Sequence, residues 1–305
     1  MNRSYIFFDI ECANCFDGIG KMCSFGYVLV DDNWNILDED DVVMNPETEF
    51  DWYLFDPKKN CQLAYSKDYF RAQRNFESFY SPIKKLMETS SRRIIGFGVS
   101  NDIGFLYSAC ERYSLPQINY AAYDLANILK KSIGAVHKLE DFCHLLKVDI
   151  SDLKAHKSQD DAKMTMRLMK FFCEEQGCSI EELLENNKDC KISVEKYVEQ
   201  MEINRHNKEV HEKLKEMYGK KIRAVLSHKL SGDYALGFKI STNPDLALKV
   251  GTLVQKHGGI LKKNLKSNGT IIIDGKSDEN LIISLQKRGL KSISVSDFLE
   301  KTKME

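Results

Sequence analysis

The chain has 305 residues, 43% hydrophobic and 29% charged, with a formal net charge of −1, a normal soluble composition with room for one large or two ordinary domains. No stretch approaches the ~18 uninterrupted apolar residues needed to span a bilayer, and the N-terminus lacks the basic segment and apolar run of a secretory signal. A cytoplasmic protein with no membrane partner is expected.

The apolar run Tyr5-Ile6-Phe7-Phe8-Asp9-Ile10-Glu11 predicts a buried strand that carries two acids. Side chains on a strand alternate, so Asp9 and Glu11 share a face, where they repel unless a cation lies between them. Hard oxygen ligands without a thiolate or histidine cluster point to magnesium or manganese. Met22 to Val30 is a second β-prone run closed by Asp31-Asp32-Asn33, and together the two runs read as an antiparallel hairpin.

Beyond Asn45-Pro46, Phe76, Phe79, Tyr80, Ile83, Leu86 and Met87 recur at helical spacing over Asn75 to Thr89. Arg93 to Val99 reads as a short buried strand, and Asp102 begins the helix that follows it. Asn119 to Tyr123 is a further short strand, Asp124 caps a helix to Lys131, and another helix covers about Lys138 to Leu146. His156 lies in a polar stretch before a long amphipathic helix from Asp161 that ends at Gly177, a natural breaker. Antiparallel strands followed by alternating helices and strands imply an α/β domain over residues 1–176.

Ser179 to Glu182 has the capping-box pattern, and residues 177–218 read as a charged helical connector. In the remainder, 219–305, strands are expected at Phe238 to Ser241, Ile260 to Leu265 and Thr270 to Ile273, with helices at Asp245 to His257 and Asp278 to Arg288. From Gly219 to Glu305 there are 16 Lys or Arg against 8 Asp or Glu, which is +8 and leaves −9 for residues 1–218. A basic module beside an acidic one suits a polyanionic partner, although lysine-rich surfaces are also simply solvated faces. The nine cysteines all lie between Cys12 and Cys190 without a disulfide framework, as in a reducing compartment, and the lone Cys12-x-x-Cys15 pair is expected to pack its loop.

Asp9, Glu11, Asp102, His156 and Asp161 thus stand at strand ends and helix starts. Each alone has a plain structural role, as a helix cap, a first-turn acid or a loop histidine. Together, in this order, they point to one site of convergent titratable groups.

The set resembles the DEDDh family of 3'-to-5' exonucleases, through Phe8-Asp9-Ile10-Glu11, Asn101-Asp102 with Ile103 and Leu106, and His156-Lys157-Ser158-Gln159-Asp160-Asp161-Ala162. The resemblance covers residues 1 to about 176 and implies an RNase H-like α/β domain with a mixed central sheet. It implies two Mg2+ (or Mn2+) held by Asp9, Glu11, Asp102 and Asp161, with Asp9 bridging them and His156 as general base toward water. Its nearest likeness is to the proofreading epsilon type of bacterial DNA polymerase III, which implies single-stranded or frayed DNA with a free 3' end. RNA trimming, of the RNase T or oligoribonuclease type, is the alternative substrate, and a non-catalytic nucleic-acid or phosphoprotein adaptor the alternative role. Cys12 stands at the family's usual Thr, and Phe97, Gly98 and Asn101 replace its usual His-Asn pair and Phe. Cys12 and Ala13 backbone groups, with Phe16 or Phe97 as a stacking ring, are the candidate substrate contacts.

Residues from about Gly232 to Met304 resemble a BRCT domain, chiefly through the Gly258-Gly259 turn after a helix, with Phe298 where a Trp is commoner. The resemblance implies a phosphate contact by Ser241 or Thr242 with Lys276 or Lys287, and a DNA polymerase or repair protein as partner. Plain structural roles are the alternative for those four residues.

Overall fold

A computed structural model describes residues 3–303 apart from 17–18, 135–136, 223–224 and 276–278. The chain forms two compact units, Met1–Glu199 and Gln200–Glu305.

The first unit is built on β1 (Ser4–Cys12), β2 (Met22–Asp31) and β3 (Ile36–Val43), then α1 (Lys67–Arg71), α2 (Phe76–Glu88), β4 (Arg92–Gly96) and α3 (Ser100–Arg112). It continues through β5 (Ala121–Asp124), α4 (Leu125–Ile133), α5 (Leu139–Leu145), α6 (Ser158–Gln176), α7 (Ile180–Asn186) and β6 (Lys191–Ser193). The sheet runs β3-β2-β1-β4-β5-β6, parallel for β1-β4 and β4-β5 and antiparallel elsewhere. This mixed sheet with helices on both faces agrees with the expected α/β class. The expected hairpin is present, whereas β3 was not foreseen; its run Asp38 to Asp41 resembles a loop but forms the edge of the sheet, where acids tolerate water.

The strand period sorts β1 into two cores. Tyr5 and Phe7 pack with α4 to α7, while Ile6, Phe8 and Ile10 pack with α2 and α3. Asp9 and Glu11 therefore emerge on the Tyr5 face, the one covered by α6. Gly26 of β2 lies opposite Asp9, and a Cβ there would overlap Ser158 and Gln159, so the glycine lets the first turn of α6 rest on the hairpin. α6 ends as expected at Gly177, whose φ of 60° is the left-handed cap. The capping box of Ser179 and Glu182 is formed at α7. Within the segment read as a connector, β6 pairs with β5 and belongs to this sheet.

α8 (Val194–Met217) follows, with Val194 and Tyr197 in the core of the first unit and Val210 and Leu214 in that of the second. The second unit contains β7 (Asp233–Leu236), α9 (Phe238–Ser241), α10 (Pro244–Lys256), β8 (Ile260–Leu261), β9 (Gly269–Ile273), α11 (Glu279–Lys287), β10 (Leu290–Ser294) and α12 (Val295–Thr302). Its four strands are parallel, in the order β10-β9-β7-β8. Phe238 to Ser241 is a helical turn and not the expected strand. On a strand Phe238 and Ile240 would share a face, yet Ile240 is fully buried and Phe238 is 81% exposed. The expected strand at Ile260 to Leu265 stops at Leu261, and β7 and β10 were not foreseen. No helix among the described residues is long and apolar enough to cross a membrane.

Candidate active site

Pairing between β1 and β4 stops at Phe7 and Ile95, so the next stretch of β1 has no strand beside it on that edge. Asp102, in the first turn of α3, fills the gap: its Oδ1 accepts the N–H of Ile10 at 2.9 Å. The carboxylate is thereby fixed to the residue between Asp9 and Glu11. From the α6 side, Asp161 accepts the N–H of His156 at 2.9 Å. Its neighbour Asp160 is engaged elsewhere, accepting from the Lys154 N–H and the Lys157 ammonium, both at 3.0 Å.

His156 has φ of 60°, a left-handed conformation that turns its ring back toward β1. Its Nδ1 lies 3.2 Å from Glu11 Oε1 and its Nε2 2.8 Å from the Asn60 carbonyl. Asn60 is a contact that the sequence did not suggest, because the 51–64 segment reaches the site only in the folded chain.

All five residues line one cleft of about 560 Å³, with Asn60, Cys61, Phe97, Asn101 and Lys138 among its other walls. Ligand atoms of Glu11, His156 and Asp161 lie within 4.8 Å of one another. Desolvation pushes Asp9 well above the usual carboxylate range, and the charges of Asp102, Asp161 and Glu11 add to it. Asp102 is pushed up to about 8, chiefly by burial, against the opposing bond from Ile10. Asp161 also rises to about 8 through burial and Glu11, with His156 opposing. His156 is raised to about 9, first by its hydrogen bond to Glu11 and against its own burial. So many acids facing one cleft cannot all ionise unless a cation replaces the missing water. The donor set, carboxylates with one imidazole and no thiolate, suits a hard divalent ion.

The other candidates separate. Phe97 lines the cleft, its ring edge-on to Phe142 at 5.9 Å. Cys12, Ala13 and Phe16 are not among the lining residues. Ala13 is fully buried, its N–H bonded to the Lys21 carbonyl and its carbonyl to the Asp51 N–H, so it is occupied within the fold. Cys12 Sγ lies 3.5 Å from Cys15 Sγ, and Phe16 is exposed. Asp124 supports the wall of the cleft: its Oδ1 accepts the N–H of Gly98, whose φ is 70°. In the second unit, the Ser241 and Thr242 hydroxyls donate to the carbonyls of Phe238 and Lys239, Lys287 is exposed, and Lys276 lies outside the described residues.

The nuclease domain of 3'hExo bound to rAMP is 17% identical over 58% of this chain and 94% of that one, with a TM-score of 0.48. A 3'-exonuclease that recognises the histone mRNA stem-loop is 16% identical over 58% of this chain and 84% of that one, with a TM-score of 0.49. E. coli Exonuclease I in complex with a dA16 oligonucleotide is 14% identical over 60% of this chain and 42% of that one, with a TM-score of 0.47. No curated protein matches the chain. The exonuclease family model named for RNase T matches residues 6–169, more than half of the sequence, and the chain belongs to this exonuclease family.

Proposed function

We propose that the chain removes nucleotides from single-stranded or frayed 3' ends of DNA by metal-assisted attack of water on the last phosphodiester. The observation that carries this reading is the convergence of Asp9, Glu11, Asp102, His156 and Asp161 on one cleft in which three of the carboxyls are held far above their ordinary range. Exonucleases of the DEDDh type depend on divalent metal, and the four acids are suited to hold two Mg2+ or Mn2+. When bound, such ions stabilise charge on the attacking and leaving oxygens.

The protein's own groups do the rest. Asp102, anchored on Ile10, and Asp161, anchored on the His156 N–H, are each held in one rotamer by these bonds, which keeps their carboxyls in place. His156 takes the proton of the attacking water. Resting between Glu11 and the Asn60 carbonyl it is held protonated, so it acts as a base only after one of these acceptors is drawn away. The choice of DNA rests on the basic residues 219–305 and their likeness to a module associated with DNA. In this reading the second unit is a BRCT-like accessory that binds a polyanion or a repair or polymerase partner, supported by its exposed Lys249, Lys263, Lys266, Lys287 and Lys291.

The test uses 3'-labelled and 5'-labelled single-stranded DNA and RNA of one sequence, with magnesium, manganese or chelator, beside Asp9→Ala. Metal-dependent release of mononucleotides from DNA 3' ends is expected. Preference for RNA would overturn the substrate, and cleavage equal in Asp9→Ala would overturn the site.

A further inference from the structure

Outside the cleft, the first unit exposes a group of large apolar side chains that its fold does not use. Trp52 is 67% exposed and Phe16 58%, and Ile19 and Tyr53 are exposed as well. Trp52 and Tyr53 meet edge-on at 6.1 Å. Burying such rings is worth several times the thermal energy, and large rings as exposed as Trp52 and Phe16 are candidates for a binding role.

The connections of this patch indicate its occupant. Asp51 donates its N–H to the carbonyl of Ala13, two residues past Glu11, so Trp52 and Tyr53 begin at the end of the strand that carries the acids. Phe16 belongs to the loop leaving that strand, tied to the same segment by Asn14, whose amide bonds Thr48 and Glu49. At the far end of the segment, Asn60 and Cys61 line the cleft and the Asn60 carbonyl holds His156. Between the two ends lie Lys58 and Lys59, both exposed and without an ion pair among the described residues. Leu54 and Phe55 point inward to a core with Phe50, Leu63 and Phe70, and Leu63 donates to the Leu54 carbonyl. The outward pair is therefore mounted on a braced segment.

We propose that Trp52, with Tyr53 and Phe16, is a stacking platform for the single strand that trails upstream from the 3' end in the cleft, and that Lys58 and Lys59 contact its phosphates. A single strand offers successive base faces and a charged backbone, and exposed rings with exposed lysines further along the same segment complement both. A protein partner would use the rings but has no need of continuity with the cleft. This inference rests on the proposed function, because it takes its strand from that site.

The chain has two tryptophans, and Trp34 is partly buried against Phe7 at 6.1 Å whereas Trp52 is 67% exposed, so Trp52 is the more accessible reporter. Full-length protein in an Asp9→Ala background, which prevents degradation, is titrated with a dT12 oligonucleotide and its U12 counterpart while tryptophan fluorescence is followed. The strand is expected to quench the emission. Trp52→Ala should weaken binding by ~5- to 150-fold, the range for losing one stacked base, while Trp52→Phe keeps affinity and loses the quench. Wild-type hydrolysis is measured alongside. Active wild type with unchanged binding in Trp52→Ala overturns the platform alone. Inactive wild type that still binds through Trp52 overturns the exonuclease reading and keeps the platform.

Discussion

Asp102 accepts the backbone N–H of Ile10 at 2.9 Å, and Ile10 is the residue between Asp9 and Glu11. One carboxylate thus completes an interrupted sheet edge and joins a cluster of acids. The two duties are separable by substitution.

Asp102→Asn keeps an acceptor for the Ile10 N–H and removes the ionisable group; Asp102→Ala removes both. Metal-dependent cleavage should vanish in each. Stability should differ: Asn is expected within ~1 kcal/mol of wild type, whereas Ala leaves a buried N–H unpaired at a cost of ~1–3 kcal/mol. Denaturant unfolding in chelator checks this, and equal stability of the two variants would mean that the bond to Ile10 contributes nothing.

The acid cluster also sets how the metal-free protein responds to pH. Asp102 and Asp161 rise from the ordinary 3.8 to about 8 on folding, so between those values the folded state binds more protons than the unfolded one. Stability must fall as pH rises through that window. His156, raised from 6.5 to about 9, acts in the same sense, its contribution present below 6.5 and lost as pH rises through about 9. Carboxylates held low by partners, such as Glu181 beside Arg93, lose their contribution only as pH falls through the acid range. The melting temperature in chelator should therefore decline from pH 5.5 to pH 8, and magnesium should raise it most at pH 8. A melting temperature that climbs over that range in chelator would contradict the cluster's electrostatics.

The face shared by Asp9 and Glu11 was legible in the sequence because a strand has one period and an acid in an apolar run stands out. Gly177 and the Ser179–Glu182 box were legible for the same local reason. Other features depend on distant partners. β6 is three residues long and exists through its pairing with β5, and β3 hides behind four acidic positions that only an edge strand permits. Phe238-x-Ile240 carried a strand's alternation, but pairing with β9 ends at Leu236 and Ile272 and the chain turns there into α9. Asn60 offers a backbone carbonyl, which has no signature in side-chain chemistry.

Gly26 is where the hairpin and α6 meet. A methyl group there would overlap backbone atoms of Ser158 and Gln159, which no rotamer change relieves. Gly26→Ala is expected to cost about 3 kcal/mol or more by overpacking. Because the displaced turn carries Asp161 and follows His156, turnover should drop as well, even below the unfolding transition. Thermal unfolding and initial rates measured at one low temperature check both parts, and a variant with wild-type rates would show that the start of α6 need not rest on β2.

His156 and Asn60 are bonded at 2.8 Å, yet only one of them should be sensitive to mutation. In the proposed mechanism the imidazole is the proton acceptor, so His156→Ala should lower kcat by two to four powers of ten, the usual weight of general base catalysis. Asn60 supplies only its main-chain carbonyl, which any residue carries. Asn60→Ala should therefore leave kcat within about threefold of wild type and keep the pH dependence of the rate. If Asn60→Ala instead matched His156→Ala, the amide side chain would have to enter the chemistry, and the role of the carbonyl in holding the imidazole would have to be given up.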